Sequence, residues 1–294
     1  MAILVNSDTR ILCQGMTGRT GSYHTERAIA YGSNVVAGVR PGKGGTWHLD
    51  RPVFDTVKEA VAETGANASL VFVPPENAAA AMIEAIEAEL PLVVCVTERV
   101  PVLDMVRVRA ALEGSGTTLI GPNSQGVLTP GACKLGVMST VHERPGSIGI
   151  VSRSATLTSE IVAQTSAAGL GQSTTVGIGG DPVHGAGFVD CLKLFMADPE
   201  TSGIILIGEI GGAEEELAAE YLKSTEPAKP VVALVAGRHA PPQRRMGHAG
   251  TLTMFGRADA NMKIKALRAA GAHIAPDTQG VAAAMLDALA QHGS

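Results

Sequence analysis

The chain has 294 residues and a formal net charge of −5, and it carries no basic run or aromatic stacking pattern of the kind that a nucleic-acid surface requires. Apolar residues make up 45% of the sequence but aromatic residues only 3%, so the core must be built mainly from aliphatic side chains. Together with 35 glycines, this composition is typical of parallel α/β sheets joined by tight turns. The length accommodates two domains of ordinary size.

The four cysteines are scattered and form no C-x-x-C pair, which disfavours zinc sites and disulfides and indicates a reducing compartment. Residues 1–6 do not combine a basic region with a following apolar run, as a signal peptide would. No apolar stretch reaches membrane-spanning length. We therefore expect a cytoplasmic protein with no metal site and no membrane or nucleic-acid partner.

A glycine-rich turn over residues 15–21 connects a short apolar strand, residues 11–14, to a helix over residues 25–31. This order opens a Rossmann-like nucleotide-binding unit, because glycines let backbone N–H groups approach a phosphate at a helix N-terminus. The spacing is G-x-x-G-x-x-G instead of the G-x-G-x-x-G of dinucleotide-binding folds. A tight turn without a ligand is therefore the alternative.

Cations follow the second predicted strand, residues 34–39. Arg40 stands where an NAD-binding unit carries an acidic residue for the ribose hydroxyls. Lys43 then lies in a glycine loop. These charges favour a phosphate-rich ligand other than NAD, and a solvated turn is the alternative for the loop.

Strands and helices continue to alternate as far as residue 120, which predicts a parallel sheet with right-handed crossovers. Ligands of such sheets bind at the carboxyl ends of the strands, so residues 15–20, Lys43 and residues 96–98 are expected to converge. A solvated charge at a strand end is the alternative for Glu98. The further elements are helices over residues 57–63, 76–87 and 103–112, and strands over residues 68–73, 91–97 and 118–120.

The turn-rich residues 121–131 divide the chain into two expected domains, residues 1–125 and 126–294. Because no long disordered linker separates them, the domains should pack together. The second half repeats the α/β alternation. Its expected strands cover residues 148–151, 174–181 with a terminal glycine turn, 203–207, 230–235 and 272–275, and its helices cover residues 157–168, 188–196, 214–221, 262–270 and 281–289.

One loop, residues 244–250, carries two arginines and then a histidine between small residues. The small neighbours leave the ring of His248 reachable. With an ordinary pKa near 6.5, the ring is largely neutral at pH 7, and a neutral ring nitrogen can attack phosphorus. A surface turn with an incidental histidine is the alternative. Among the other histidines, His184 is the strongest competitor.

Loops that leave neighbouring strands of the second sheet carry the remaining parts of a phosphohistidine site. A helix N-terminus at Ser154, Ala155 and Thr156 can hold phosphoryl oxygens through its amides and its dipole. Glu209 can accept a hydrogen bond from one ring nitrogen of His248 and leave the other nucleophilic. A charge that caps the next helix is the alternative for Glu209.

Nearly the whole chain resembles the α subunits of the succinate–CoA ligases, including malate–CoA ligase-like members. The resemblance implies an α/β protein with an N-terminal Rossmann-like CoA-binding domain followed by a flavodoxin-like parallel α/β domain. The segments that carry it are residues 14–18, 32–36, 41–45, 121–123, 151–154, 176–182, 207–212 and 245–250.

The same resemblance implies a function for particular residues. His248 matches the phosphorylated histidine of the family, and Glu209 matches its carboxylate partner. The family's sites for ATP or GTP and Mg²⁺ lie mainly on an ATP-grasp β subunit, which implies such a partner in an αβ dimer or an (αβ)₂ assembly. The residues implied to bind coenzyme A are Thr17, Gly18, Arg19, Thr20, Lys43, Val96, Thr97 and Glu98.

The implied reaction is ADP- or GDP-forming and joins a short dicarboxylate-like acid to coenzyme A through a phosphohistidine and an acyl phosphate. The residues expected to contact the acid are Asn123, Ser124, Gln125 and Ser159. Two departures from the family pattern bear on that acid. Ser124 and Gln125 replace a cysteine and a proline or alanine, and Ser159 replaces a tyrosine. Succinate, malate, another hydroxy-dicarboxylate and a sulfonated short acid therefore all stay open.

Two other classes of protein also stay open. An NADP-dependent oxidoreductase would use Arg40 to meet the NADP phosphate, but it would leave the loops of Glu209 and His248 unexplained. A non-catalytic CoA-binding or regulatory module is the other. A phosphoryl label that ATP transfers to this chain, and that is labile in acid but stable in base, would support the ligase and exclude both other classes.

Overall fold

A computed structural model describes residues 2–241, 247, 248, 251 and 259–293. The elements of the first half are β1 (Arg10–Gln14), α1 (Arg19–Tyr31), β2 (Asn34–Val39), β3 (Trp47–His48), β4 (Arg51–Phe54), α2 (Val57–Thr64), β5 (Ala68–Val71), α3 (Pro75–Glu87), β6 (Leu92–Cys95), α4 (Val102–Leu112) and β7 (Thr118–Ile120). Those of the second half are β8 (Gly126–Thr129), β9 (Cys133–Gly136), β10 (Pro145–Ser152), α5 (Ala155–Ala167), β11 (Gln172–Gly177), α6 (Phe188–Ala197), β12 (Gly203–Glu209), α7 (Glu214–Thr225), β13 (Val231–Ala236), α8 (Ala260–Ala269), β14 (His273–Ile274) and α9 (Val281–His292).

These elements form two sheets, in the strand orders β3-β4-β2-β1-β5-β6-β7 and β14-β13-β12-β10-β11-β8-β9. In the first sheet every pairing is parallel except that of β3 with β4. In the second, β10 to β14 pair in parallel, whereas β8 pairs antiparallel with both β9 and β11. The predicted α/β class with two mostly parallel sheets is therefore confirmed.

The antiparallel pair β8 and β9 was not among the predicted strands, and β8 lies within the turn-rich residues 121–131. A Cβ at Gly126 would lie 2.1 Å from the carbonyl oxygen of Leu135, and one at Gly136 would lie 2.4 Å from that of Gln125. These glycines therefore serve close backbone approach instead of a turn. Strand β8, which begins at Gly126, pairs within the second sheet, while the division into residues 1–125 and 126–294 stays a prediction.

Helix α1 begins at Arg19, six residues before the predicted start. Its first turn is poor in helix-favouring residues, so local propensity gives little sign of it. The turn packs directly on the end of β1, where a Cβ at Gly21 would lie 2.2 Å from the carbonyl oxygen of Gly15. Tertiary contact at a glycine thus places Arg19 and Thr20 at the helix N-terminus, close to the sheet edge.

The core is aliphatic and extends across both halves of the chain. Every residue of β6 and β12 is buried, as expected for parallel strands covered by helices on both faces. One buried cluster contains Ile11 and Val94 of the first sheet together with Val151 and Leu206 of the second. The four cysteines are buried and unpaired. None of the helices in the described part of the chain has the length and apolarity needed to cross a bilayer.

Candidate active site

The carboxyl ends of β10, β12 and β13 lie at one edge of the second sheet, because these strands pair in parallel. Strand β10 leads into the N-terminus of α5, β12 ends at Glu209, and His248 lies in the chain beyond β13. The three loops expected to share an edge therefore do so. Residues 244–246, 249 and 250 of the predicted histidine loop lie outside the described residues.

A hydrogen bond joins His248 to Glu209, with Nδ1 2.9 Å from both carboxylate oxygens. A carboxylate only accepts, so Nδ1 carries the proton, and in the neutral ring the lone pair lies on Nε2. The hydrogen bond from Nδ1 to Glu209 raises the pKa of His248 above 6.5, although burial acts in the opposite direction.

The glycine turn after β11 packs against this ring. A Cβ at Gly180 would lie 2.3 Å from both Cγ and Nδ1 of His248, so the position has no room for a side chain. The next residue, Asp181, is buried, and its Oδ1 accepts a hydrogen bond of 2.9 Å from Asn123 Nδ2. Burial raises the pKa of Asp181. Neither residue was predicted as part of the site, although a glycine pair at this strand end was a usable signal.

Buried charges of alternating sign extend from Glu209 into the protein. Arg153, 4% exposed, places Nη2 3.3 Å from Glu209 Oε1 and Nη1 3.8 Å from Glu215 Oε1. Glu215 also accepts a hydrogen bond of 2.9 Å from the amide of Glu209. Lys263 is fully buried and donates to Glu215 and, at 2.6 Å, to the carbonyl oxygen of Gly211.

This network fixes the backbone and the carboxylate of Glu209 together, and sequence reasoning missed it. The available signal was a lysine on the apolar face of α8, because Lys263 is buried beside Ile264 and Leu267. A lysine in such a position requires a buried partner, since an unpaired charge is costly in the interior. The sequence could not identify that partner.

The N-terminus of α5 lies directly after Arg153. Ser154 is the N-cap residue, and its Oγ accepts a 3.3 Å hydrogen bond from the amide of Leu157. Ala155 and Thr156 are exposed in the first turn, where amides have no intrahelical acceptor. These amides can bind an anion together with the positive end of the helix dipole.

At the edge of the first sheet, the ends of β1 and β2 are joined by Arg40, whose Nη1 donates to Thr17 Oγ1 at 2.7 Å. Gly18 is the N-cap residue of α1, and Arg19 and Thr20 begin its first turn. The site thus combines the N-terminus of α1 with the guanidinium of Arg40, which follows β2. This arrangement suits a phosphate-bearing ligand.

The glycine loop over residues 41–45 can contribute the side chain of Lys43 to a phosphate site, but not the amides of Lys43 and Gly44. The amides of Lys43 and Gly44 donate to Asp55 Oδ1 at 3.0 Å and 2.9 Å. These hydrogen bonds, that of Gly44 first, lower the pKa of Asp55. The two amides already have an anionic acceptor, so only the exposed side chain of Lys43 is free to meet a phosphate.

A chain of hydrogen bonds connects the two sheet edges. Thr97, between half-buried Val96 and exposed Glu98, donates through Oγ1 to the carbonyl oxygen of Val73 at 2.7 Å. The carbonyl oxygen of Thr97 accepts from the amide of Asn123 at 2.9 Å. Asn123 in turn donates to Asp181, next to the turn that packs on His248. The predicted coenzyme residues and the histidine thus belong to one continuous region.

The four residues expected to contact an acid separate into different settings. Asn123 binds Asp181, and buried Ser124 donates to the carbonyl oxygen of Gly177 and accepts from the amide of Gly126, so its hydroxyl is used inside the turn. Gln125 Nε2 donates to Thr158 Oγ1 at 2.7 Å. Gln125 and Ser159 line one small cavity, of about 50 Å³.

Two protein families match the chain. The family described as CoA binding domain matches residues 6–99, and the family described as CoA-ligase matches residues 151–273. A succinate–CoA ligase [ADP-forming] subunit alpha of Aquifex aeolicus is 54% identical over 93% of this chain and 90% of that protein. The subunit alpha 2 of Archaeoglobus fulgidus is 51% identical over 96% of this chain and 98% of that protein.

Among solved structures, an ATP citrate lyase of Methanosaeta concilii in complex with (3S)-citryl-CoA superposes with a TM-score of 0.88 over 99% of this chain, at 24% identity. The chain spans about half of that protein, 52% of its length. At this identity the likeness concerns the fold alone. It shows that both halves of the chain occur together in one known arrangement.

Proposed function

Because the chain belongs to the family of the succinate–CoA ligase α subunits, we propose that it is the α subunit of an ADP-forming ligase that joins succinate or a related short acid to coenzyme A. His248 carries the phosphoryl group, and Glu209 orients it. The observation that supports this most is the 2.9 Å hydrogen bond between Glu209 and Nδ1, because it leaves Nε2 as the nucleophile.

In the first step, Nε2 of His248 attacks the terminal phosphorus of ATP. The N–P bond forms while the P–O bond to ADP breaks, and the ring becomes positively charged. Glu209, 2.9 Å from Nδ1, stabilises that charge. The amides of Ala155 and Thr156, at the N-terminus of α5, can donate to the phosphoryl oxygens and stabilise their negative charge.

In the next steps, a carboxylate oxygen of the acid attacks phosphorus, the N–P bond breaks, and an acyl phosphate forms. The sulfur of coenzyme A, after loss of its proton, then attacks the acyl carbon, and phosphate leaves with its bonding electron pair. Carboxylate becomes a usable electrophile only once phosphate is its leaving group. The hydrogen bonds from Thr97 through Asn123 to Asp181 support a shared site for coenzyme and histidine.

We assign coenzyme A to the edge of the first sheet, within residues 1–125, and the phosphohistidine to residues 126–294. The match of residues 6–99 to a CoA binding domain supports this choice over NADP. The coenzyme-binding residues are Thr17, Gly18, Arg19, Thr20, Lys43, Val96, Thr97 and Glu98.

A partner completes the proposed enzyme. The relatives are named α subunits, which supports a β subunit that supplies the sites for ATP and Mg²⁺ and forms an αβ or (αβ)₂ assembly. Among the described residues, no group of three His, Cys, Asp or Glu side chains could hold a metal ion. We assign the metal ligands of the proposed enzyme to the β subunit, together with the ATP site.

The choice of acid is a separate part of the proposal. Succinate is the acid named for the relatives. The cavity beside Gln125 and Ser159 supports a second candidate, an acid with an additional substituent such as malate. The test compares kcat/KM for succinate, malate, itaconate, citrate and sulfoacetate in the wild type and in Ser159→Tyr. A hundredfold lead of succinate that Ser159→Tyr leaves unchanged would exclude the altered pocket.

The phosphoryl carrier is tested by incubating the chain and its β partner with ATP labelled in the terminal phosphate. We expect acid-labile, base-stable label on this chain and its loss in His248→Ala. His239→Ala, at an exposed histidine, is the matched control and should keep the label. Near-normal labelling of a folded His248→Ala protein would overturn the assignment, and tight NADH binding without coenzyme A binding would favour an oxidoreductase.

A further inference from the structure

The small cavity beside Gln125 and Ser159 is lined by polar side chains and by the buried apolar side chains of Met138 and Val162. Its volume is about 50 Å³. The side chains of Gln125, Glu143 and Thr158 line its buried inner end, and Ser139, His142 and Ser159 line its exposed mouth. The cavity therefore opens to the surface but ends at buried hydrogen-bonding groups.

Glu143 is the most unusual of these groups. Its side chain is 7% exposed, and its Oε2 lies 3.5 Å from the hydroxyl of Thr175, at the limit of a hydrogen bond. Among the described residues, no cation forms an ion pair with it. Burial raises the pKa of Glu143 to about 8. A carboxyl group left this weakly satisfied in the interior requires a further hydrogen-bonding partner.

The cavity is connected to the proposed phosphoryl site along two of its walls. On α5, Ser159 lies four residues beyond Ala155, a rise of about 6 Å along the helix axis. The Oγ of Ser159 donates to the carbonyl oxygen of Ala155 at 3.2 Å. On the other wall, Gln125 packs against Gly177, three residues before the Gly180 that contacts His248. An acid bound at the N-terminus of α5 can thus extend a substituent into the cavity.

We infer that this cavity is a substituent subsite and that Glu143 hydrogen-bonds a hydroxyl group of the acid, so that the preferred substrates are hydroxy-substituted short acids. The inference rests on the proposed function and specifies its substrate class. A hydroxyl group both donates and accepts, and it therefore matches the carboxyl of Glu143 and the amide of Gln125.

Charge supports a hydroxyl over a second carboxylate. The cavity volume of about 50 Å³ leaves room for a hydroxyl group. Burial disfavours a charged carboxylate in this cavity, as the raised pKa of Glu143 indicates, and no lysine or arginine among the described residues lines the cavity to compensate the charge. The second carboxylate of a dicarboxylic acid must therefore bind elsewhere.

The test measures kcat/KM for malate and succinate with the β partner in the wild type, Glu143→Gln and Glu143→Leu. We expect the wild type to prefer malate at least about tenfold, and Glu143→Leu to lose that preference while succinate use changes less than about threefold. Glu143→Gln keeps a hydrogen-bond acceptor and a donor, so it should retain part of the preference for malate. Exposed Glu160 on α5 provides the matched control, Glu160→Leu, which should behave as the wild type.

Phosphorylation of His248 by ATP, measured without acid, separates the two proposals. It should be unchanged in every variant, which also reports that Glu143→Leu is folded. A wild type that prefers succinate, or an equal loss for both acids in Glu143→Gln, would overturn the inference and leave the ligase assignment intact. Absence of phosphoenzyme in the wild type would overturn the ligase assignment and this inference with it.

Discussion

A single methyl group at position 180 should disable the nucleophile without disturbing the fold. A Cβ at Gly180 would lie 2.3 Å from Cγ and Nδ1 of His248, whereas ordinary contacts begin at 3.4 Å. The ring or the turn must therefore shift by the difference, about 1.1 Å. Because Nδ1 is held 2.9 Å from both oxygens of Glu209, a shift of this size breaks the alignment of the ring.

We expect Gly180→Ala to slow phosphorylation of His248 about 10²-fold, the loss that a 1 Å misplacement of a reacting group can cause. The backbone of Gly180 is not left-handed, so alanine adds no conformational strain there. Thermal unfolding should therefore stay close to that of the wild type. The assay is single-turnover labelling from ATP in the presence of the β partner.

Gly116→Ala is the matched control, since a Cβ at Gly116 meets no atom within 4 Å and the backbone there is not left-handed. It should phosphorylate at the wild-type rate. A Gly180→Ala protein that is fully folded and phosphorylates within about threefold of the wild type would refute the reasoning, because the packing of the turn on the ring would then have no functional weight.

Three further predictions concern charges. Glu209→Gln should lower the pKa of His248, so that the pH at which its ring is half protonated moves down; an NMR titration checks this, and an unchanged midpoint would contradict it. Lys43→Ala should weaken coenzyme A binding in calorimetry, while Lys58→Ala on α2 should not; equal affinities would remove Lys43 from the site. Lys263→Met should reduce the free energy of unfolding by about 3–5 kcal/mol, because Glu215 loses the nearer of its two buried cations and keeps only Arg153, 3.8 Å away, and adding Glu215→Gln should restore much of it. Lys265→Met, at an exposed position of the same helix, is its control in denaturant titrations, and an equal, small effect of both lysine variants would contradict the prediction.

The sequence by itself determined the α/β alternation and the strand ends that carry candidate site residues. It also determined Glu209 and His248 as the candidates for the phosphohistidine site. These features depend on local properties. Apolar runs of strand length predict buried parallel strands, and glycines with polar residues between them predict loops. Because the carboxyl ends of parallel strands share an edge, the sequence also predicted that three loops meet, which the pairings of β10, β12 and β13 confirm.

Only the tertiary structure decided which groups touch. Glu209 and His248 are 39 residues apart in the chain, and the 2.9 Å between them depends on how β12 and the segment after β13 pack. Asp55 accepts hydrogen bonds from the amides of Lys43 and Gly44, a contact that the sequence did not indicate. The first turn of α1 forms against β1 despite poor local propensity.

The buried partners of Arg153 and Lys263 and the cavity at Glu143 were equally beyond the sequence. Patterns along the chain indicate that a charged residue lies on an apolar face, but they do not indicate what lies across from it. That depends on the packing of elements distant in sequence, which fixes distances to fractions of an ångström. The pKa of each buried group follows from that packing, because burial and the nearest charge together determine its direction.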